Sequence, residues 1–214
     1  MGKPETRQIN LPGVRMITIR PRFFTLVLPL LLCSLSFSAL AHTGEGAVGG
    51  FISGFLHPIF GWDHVIAMVA VGLWGAFLGM PAMWVLPVVF PMVMALGGVL
   101  GILGIGIPGV ETGIAASAIV LGGSVALAAR PPLWIAAVIV GIFAIFHGHA
   151  HGTELPQAAN PLAYSVGFVL STGLLHLSGI AFGLLVRWPG GRIAVRTGGA
   201  IISVLGCVFL ARTL

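Results

Sequence analysis

Residues 83–103, MWVLPVVFPMVMALGGVLGIL, run for 21 positions without a charged side chain. At 1.5 Å per residue a helix of that length reaches about 30 Å, the thickness of a bilayer's hydrocarbon core. Backbone polar groups find no water at that depth, so the run reads as a membrane-spanning α-helix. Composition extends the reading to the whole chain. Of its 214 residues 57% are hydrophobic and 7% charged, where a soluble domain averages about 25% charged. Mean hydropathy is +1.09.

Outward from that run, Pro, Gly and charged residues divide the chain into further apolar segments. Full spans are expected at 62–80, 83–103, 111–129, 133–149, 162–187 and 193–211, six in all. A shorter apolar stretch, 47–56, stops at His57-Pro58 and reads as a re-entrant or interfacial helix. The fold class is an all-α polytopic membrane protein, a six-helix transmembrane bundle behind that short helix. Glycines such as Gly97, Gly98, Gly101, Gly104, Gly106, Gly122 and Gly123 are expected at close helix contacts, and Ser117, Ser124, Ser171 and Thr172 at polar ones.

The N-terminus has the form of a secretory leader. Lys3, Arg7, Arg15, Arg20 and Arg22 precede an apolar core at 23–32, and Ala39-Leu40-Ala41 offers a cleavage site. Residues 1–41 are thus expected to be a cleaved signal peptide and 42–214 the membrane domain. An uncleaved first helix is the alternative, and its short core favours cleavage. The basic region is long, and Met16 would begin a more ordinary leader than Met1. Without the leader, five arginines face four carboxylates, a balance of +1, so the isoelectric point near 10.7 carries no argument for nucleic acid. Of the two cysteines, Cys33 falls in the leader and Cys207 in an apolar helix, which excludes an intramolecular disulfide in the mature chain.

A secreted N-terminus puts the start of the first span outside the cytoplasm, and the loops then alternate. Arg130, Arg187, Arg192 and Arg196 fall inside and Arg212 outside, as the positive-inside rule requires. The bacterial inner membrane is the expected location, with the mature N-terminus periplasmic. Every acidic residue of 42–214 then lies on the outer side with most of the histidines.

Two stretches carry the chemistry. Phe146-His147-Gly148-His149-Ala150-His151-Gly152-Thr153-Glu154 holds three imidazoles and a carboxylate. On a helix His147 and His151 share a face at i and i+4, Glu154 follows at i+7, and His149 points elsewhere. His57-Pro58-Ile59-Phe60-Gly61-Trp62-Asp63-His64 reads as a break between a short helix and a span, and transporters use such breaks as binding sites. Imidazole with carboxylate suits Ni, Cu, Zn or Co rather than Mg, Ca or Mn. Asp63 is otherwise a helix cap, and the His-rich stretch otherwise a polar loop at the interface. Cleavage after Ala41 would make His42 a terminal chelator, alternatively part of a flexible polar tail. His176 falls deep in the fifth span, where a histidine is costly unless it faces the bundle interior. It reads as a second metal station, a proton carrier or a bond to a neighbouring carbonyl. Glu111 heads the third span on the outer side.

The chain resembles the HupE/UreJ family of nickel/cobalt permeases, accessory to hydrogenase and urease maturation. The resemblance rests on His57-Pro58 with Gly61, Asp63-His64 and Ala67-Met68-Val69-Ala70-Val71-Gly72. It continues in the His147 to Glu154 stretch and in Thr172-Gly173-Leu174-Leu175-His176 with Gly179-Ile180. It implies a secondary permease carrying Ni²⁺, in some members Co²⁺, inward without ATP, with His57, Asp63, His64, His147, His151 and Glu154 as ligands. His176, Glu111, His149 and His42 are added as candidate metal residues from the readings above. No catalytic residue, permanently bound cofactor or nucleotide site is expected; the partners are the transported ion and the lipid bilayer. Loss of proton-free imidazole below about pH 6 should weaken uptake. The rival readings are a permease for Zn²⁺ or Cu²⁺, a membrane-embedded metal-dependent enzyme, and a metal sensor.

Overall fold

The computed structural model describes residues 47–154 and 160–213, and the expected signal peptide and His42 lie outside them. Seven α-helices follow in order: α1 Ala47–Phe60, α2 Trp62–Leu78, α3 Ala82–Ile102, α4 Val110–Ala126, α5 Leu133–Glu154, α6 Pro161–Gly183 and α7 Pro189–Thr213. A 3-10 turn, Leu184–Arg187, extends α6. No strand occurs among the described residues. The chain is a multi-pass membrane protein: α3, α5, α7 and α6 with its extension are each long and apolar enough to cross. The α1–α2 pair, bent by 76°, makes a fifth crossing if counted as one span.

Several boundaries differ from the sequence expectation. The short helix does not stop at His57-Pro58. It runs through Pro58 and ends at Gly61, whose N–H still donates to the His57 carbonyl at 3.0 Å before its own extended backbone (φ −80°, ψ 99°) breaks the helix. Pro58 gives up one backbone bond, yet the helix runs two residues past it, and Gly61 rather than Pro58 sets the corner. The expected third span shortens to the 17 residues of α4, because Ala128 turns left-handed (φ 57°) ahead of Arg130-Pro131. This helix falls short of the length that marks the other spans, so six crossings by length and composition are not all met. The fourth span, conversely, continues past His149 to Glu154 and carries all three clustered histidines on one helix.

The core lies around α2. Twelve of its 17 residues are buried, Met68, Leu73 and Trp74 completely, so a helix that is apolar on every side sits at the centre of the bundle. Close backbone contacts hold its neighbours. A side chain on Gly72 would place its Cβ 2.1 Å from the His176 carbonyl oxygen, and one on Gly148 would come 1.9 Å from that of Met94. Glycine is thus what lets α2 approach α6 and α3 approach α5. The glycine expectation holds for Gly97, Gly101 and Gly122; Gly98 and Gly123 have more room, and Gly104 and Gly106 fall in the α3–α4 connection with nothing within 4 Å. Ser117 and Ser124 do not link helices: each bonds a carbonyl of its own helix, Ile114 and Val120 respectively. A hydroxyl that does link helices is that of Ser203 on α7, which donates to the Ile119 carbonyl of α4 at 3.0 Å.

These contacts also fix direction. Along α2 and α6 the facing positions rise together, Val69 with Gly179 and Ala76 with Gly183, so the two run parallel; α3 and α5 do the same. Helix α7 runs antiparallel to α4, with Gly199 near Gly122 and Gly206 near Ile119. The first part of α6 lies along α1, Tyr164 beside Gly54, and its later part along α2. One continuous helix therefore backs both halves of the broken pair.

Candidate metal site

The corner at Gly61 creates the site. It sets His57, at the end of α1, and His64, in the first turn of α2, against the same face of α5. There His147 and His151 stack one turn apart, as i, i+4 spacing requires. His57, His64 and His151 each offer a ring nitrogen, and these atoms lie within 4.8 Å of one another. Ring centroids are 4.9 Å apart for His57 and His151, 4.5 Å for His64 and His151, and 5.5 Å for His64 and His147.

Carboxylates flank the cluster on both sides. Asp63 Oδ1 is 2.8 Å from His64 Nδ1, an ion-pair distance without the alignment of a hydrogen bond. Glu154 Oε2 is 3.5 Å from His57 Nε2. Below them, His147 is fully buried, its Nδ1 3.0 Å from the Phe143 carbonyl of its own helix. That bond places the N–H on Nδ1 and turns the lone pair of Nε2 toward the interior, as a metal ligand needs.

The chemistry of this set fits a divalent cation. Buried polar atoms normally have partners, and leaving one unpaired costs about 1–3 kcal/mol. Here His64 Nε2, His147 Nε2 and both ring nitrogens of His151 are buried without a hydrogen-bond partner. A cation with nitrogen preference would satisfy several of them at once, and the two carboxylates would offset its charge. Aromatic walls complete the chamber: Phe168 packs on His151 at 4.3 Å, Tyr164 lies 6.1 Å from His57, and Phe90 lies 5.5 Å from His147.

Of the ten candidate residues, the structure brings together His57, Asp63, His64, His147, His151 and Glu154. His149 is elsewhere: its Nε2 lies 2.8 Å from the Ile105 carbonyl, joining α5 to the α3–α4 connection. Glu111 lines a separate cavity of about 280 Å³ with Trp62, Asp63 and Arg212, so only Asp63 is common to both places. His176 stands deeper, its ring 5.5 Å from that of Phe90. Sequence reasoning missed the aromatic walls. The available signal was slight: Tyr164 is the one tyrosine of the chain and recurs with Phe168 at i+4, and Phe90 sits beside Pro91.

A family profile described as HupE / UreJ protein matches residues 30–209. "Protein HupE" of Rhizobium leguminosarum bv. viciae is 43% identical over 180 residues, covering 84% of this chain and 94% of that protein. No solved structure matches. With a profile spanning most of the chain and a relative matched along nearly its whole length, the protein belongs to the HupE/UreJ family.

Proposed function

We propose that the protein is a secondary permease that takes up Ni²⁺, with Co²⁺ as the alternative cargo, across the bacterial inner membrane to supply hydrogenase or urease maturation. The observation that carries this reading is the imidazole cluster of three helices, set at the corner of a broken span between two carboxylates. A broken helix lining a cavity is how transporters expose ligands within the bilayer. In this reading hydrated Ni²⁺ reaches Asp63 and Glu154 from the periplasm and loses part of its water. His57, His64, His147 and His151 then hold it. An inside-negative potential favours the inward direction by about 2.3 kcal/mol per charge per 100 mV, twice that for a divalent ion, so no ATP is required.

The proposed topology has six crossings, α1–α2 being the first and α4 the third, behind a cleaved leader at 1–41. The helix directions support it: six alternating crossings make the first and fifth parallel, the second and fourth parallel, and the third and sixth antiparallel, the pattern of close contacts described above. The arginines support it too. Arg130 lies over the Phe77 ring near the end of α2, and Arg196 Nε donates to the Ala126 carbonyl at the end of α4. These ends are the opposite ones from His64 and Glu111. The test is uptake of radioactive nickel by nickel-starved cells carrying wild type, Asp63→Ala or His147→Ala at matched membrane levels. The expected result is accumulation by the wild type and background by both variants. Equal accumulation by all three would refute the proposed ligand set.

A further inference from the structure

Three polar side chains inside the bundle have no role in the outer cluster. Ser171 is fully buried, Thr172 is 1% exposed and His176 2% exposed, all on α6. Ser171 Oγ, Thr172 Oγ1 and His176 Nε2 are without a hydrogen-bond partner. Other hydroxyls of the same helix behave differently: Ser165 bonds the Pro161 carbonyl and Ser178 that of Leu175. A serine or threonine in a membrane helix ordinarily bonds its own preceding turn. Those at 171 and 172 forgo that bond while shut away from solvent, a cost that needs compensation.

Their position is inward of the cluster. Along α6, Phe168, Thr172 and His176 follow at i, i+4 and i+8, one stripe that starts against His151. The His176 carbonyl packs at Gly72, eight residues beyond His64 on α2, which is about 12 Å along the helix axis. Phe90, fully buried, touches both levels: its ring is 5.5 Å from that of His147 and 5.5 Å from that of His176. The carboxylates of the described residues, Asp63, Glu111 and Glu154, all stand at helix ends, away from this level.

We propose that Ser171, Thr172 and His176 form a second, inner binding station for a partly hydrated divalent cation, with the Phe90 ring against both it and the outer cluster. This rests on the permease reading of the outer site and adds the next stop on its path. One imidazole and two hydroxyls without a carboxylate hold such an ion weakly, with water completing its shell. Weak holding suits a station from which the ion must leave.

The test replaces a ligand with one that reports on metal. His176→Cys is made in a background where Cys33 and Cys207 are serine, and the purified protein is loaded with Co²⁺. The expected result is a thiolate-to-cobalt charge-transfer band that persists when His151→Ala removes the outer cluster. A folded variant that binds Co²⁺ at the outer cluster but shows no such band overturns the proposal. Should His176→Cys fail to fold, equilibrium dialysis of the Ser171→Ala/Thr172→Val protein decides: loss of a second weakly held ion relative to wild type supports the station, and unchanged stoichiometry overturns it. Both readouts are binding measurements. A wild type that binds ions at both levels yet carries no flux would sink the permease reading while leaving the inner station standing.

Discussion

His149 and His151 sit two positions apart on α5 and meet different surroundings. The 3.6-residue period turns His151 into the chamber with His57 and His64, and turns His149 toward the Ile105 carbonyl. Single substitutions should separate them. His151→Ala should weaken Ni²⁺ binding by at least about 100-fold, beyond the 10–100-fold that loss of an outer-shell partner costs, as read by isothermal titration in detergent. His149→Ala should leave that affinity unchanged and cost about 1 kcal/mol of stability through its lost bond. Equal loss of affinity in the two variants would mean that the helix face has been assigned wrongly. The spacing of His147, His151 and Glu154 made this face legible in advance. Phe90 was not legible, because its contacts with both His147 and His176 depend on how α3 packs across α5 and α6, and no local pattern encodes that.

At the scale of elements, the seam between α3 and α5 positions half of the proposed ligands. Gly148 and Gly152 meet α3 where a Cβ would stand 1.9 Å from the Met94 oxygen and 2.1 Å from that of Gly98. Gly148→Leu should force the helices apart, cost about 1–3 kcal/mol or more in thermal melts, and reduce Ni²⁺ affinity as His147 and His151 move with α5. Gly190→Ala, where nothing lies within 4 Å, should change neither. Hydropathy located each of these helices, because lipid demands long apolar runs whatever their neighbours are. It placed the ends less well. Pro58 was the stronger local signal for a stop, yet the helix passes it and ends at the extended backbone of Gly61. The end of α4 turned on the backbone of Ala128, a residue type with no preference for left-handed geometry.

For the whole molecule, charge and metal chemistry set the conditions of transport. Metal binding displaces protons from imidazole, so protonation competes with binding as pH falls. Nickel uptake should therefore weaken on acidification; uptake that rose steadily as pH fell would argue against imidazole ligation. The outer chamber carries carboxylates and the opposite ends of α2 and α4 carry arginines, an asymmetry that the order of charged residues already displayed. What the sequence alone could not supply was convergence: His57 and His64 are seven residues apart, and only the 76° bend turns both toward α5.

Movement of a metal ion through this chamber can be followed as flux into proteoliposomes. Purified protein would be reconstituted with an imposed inside-negative potential, and entry of radioactive nickel followed for wild type and His64→Ala. Inward flux is expected that needs no ATP, grows with the potential and vanishes in the variant. Wild-type protein that binds nickel stoichiometrically but passes none at any potential would contradict the permease reading.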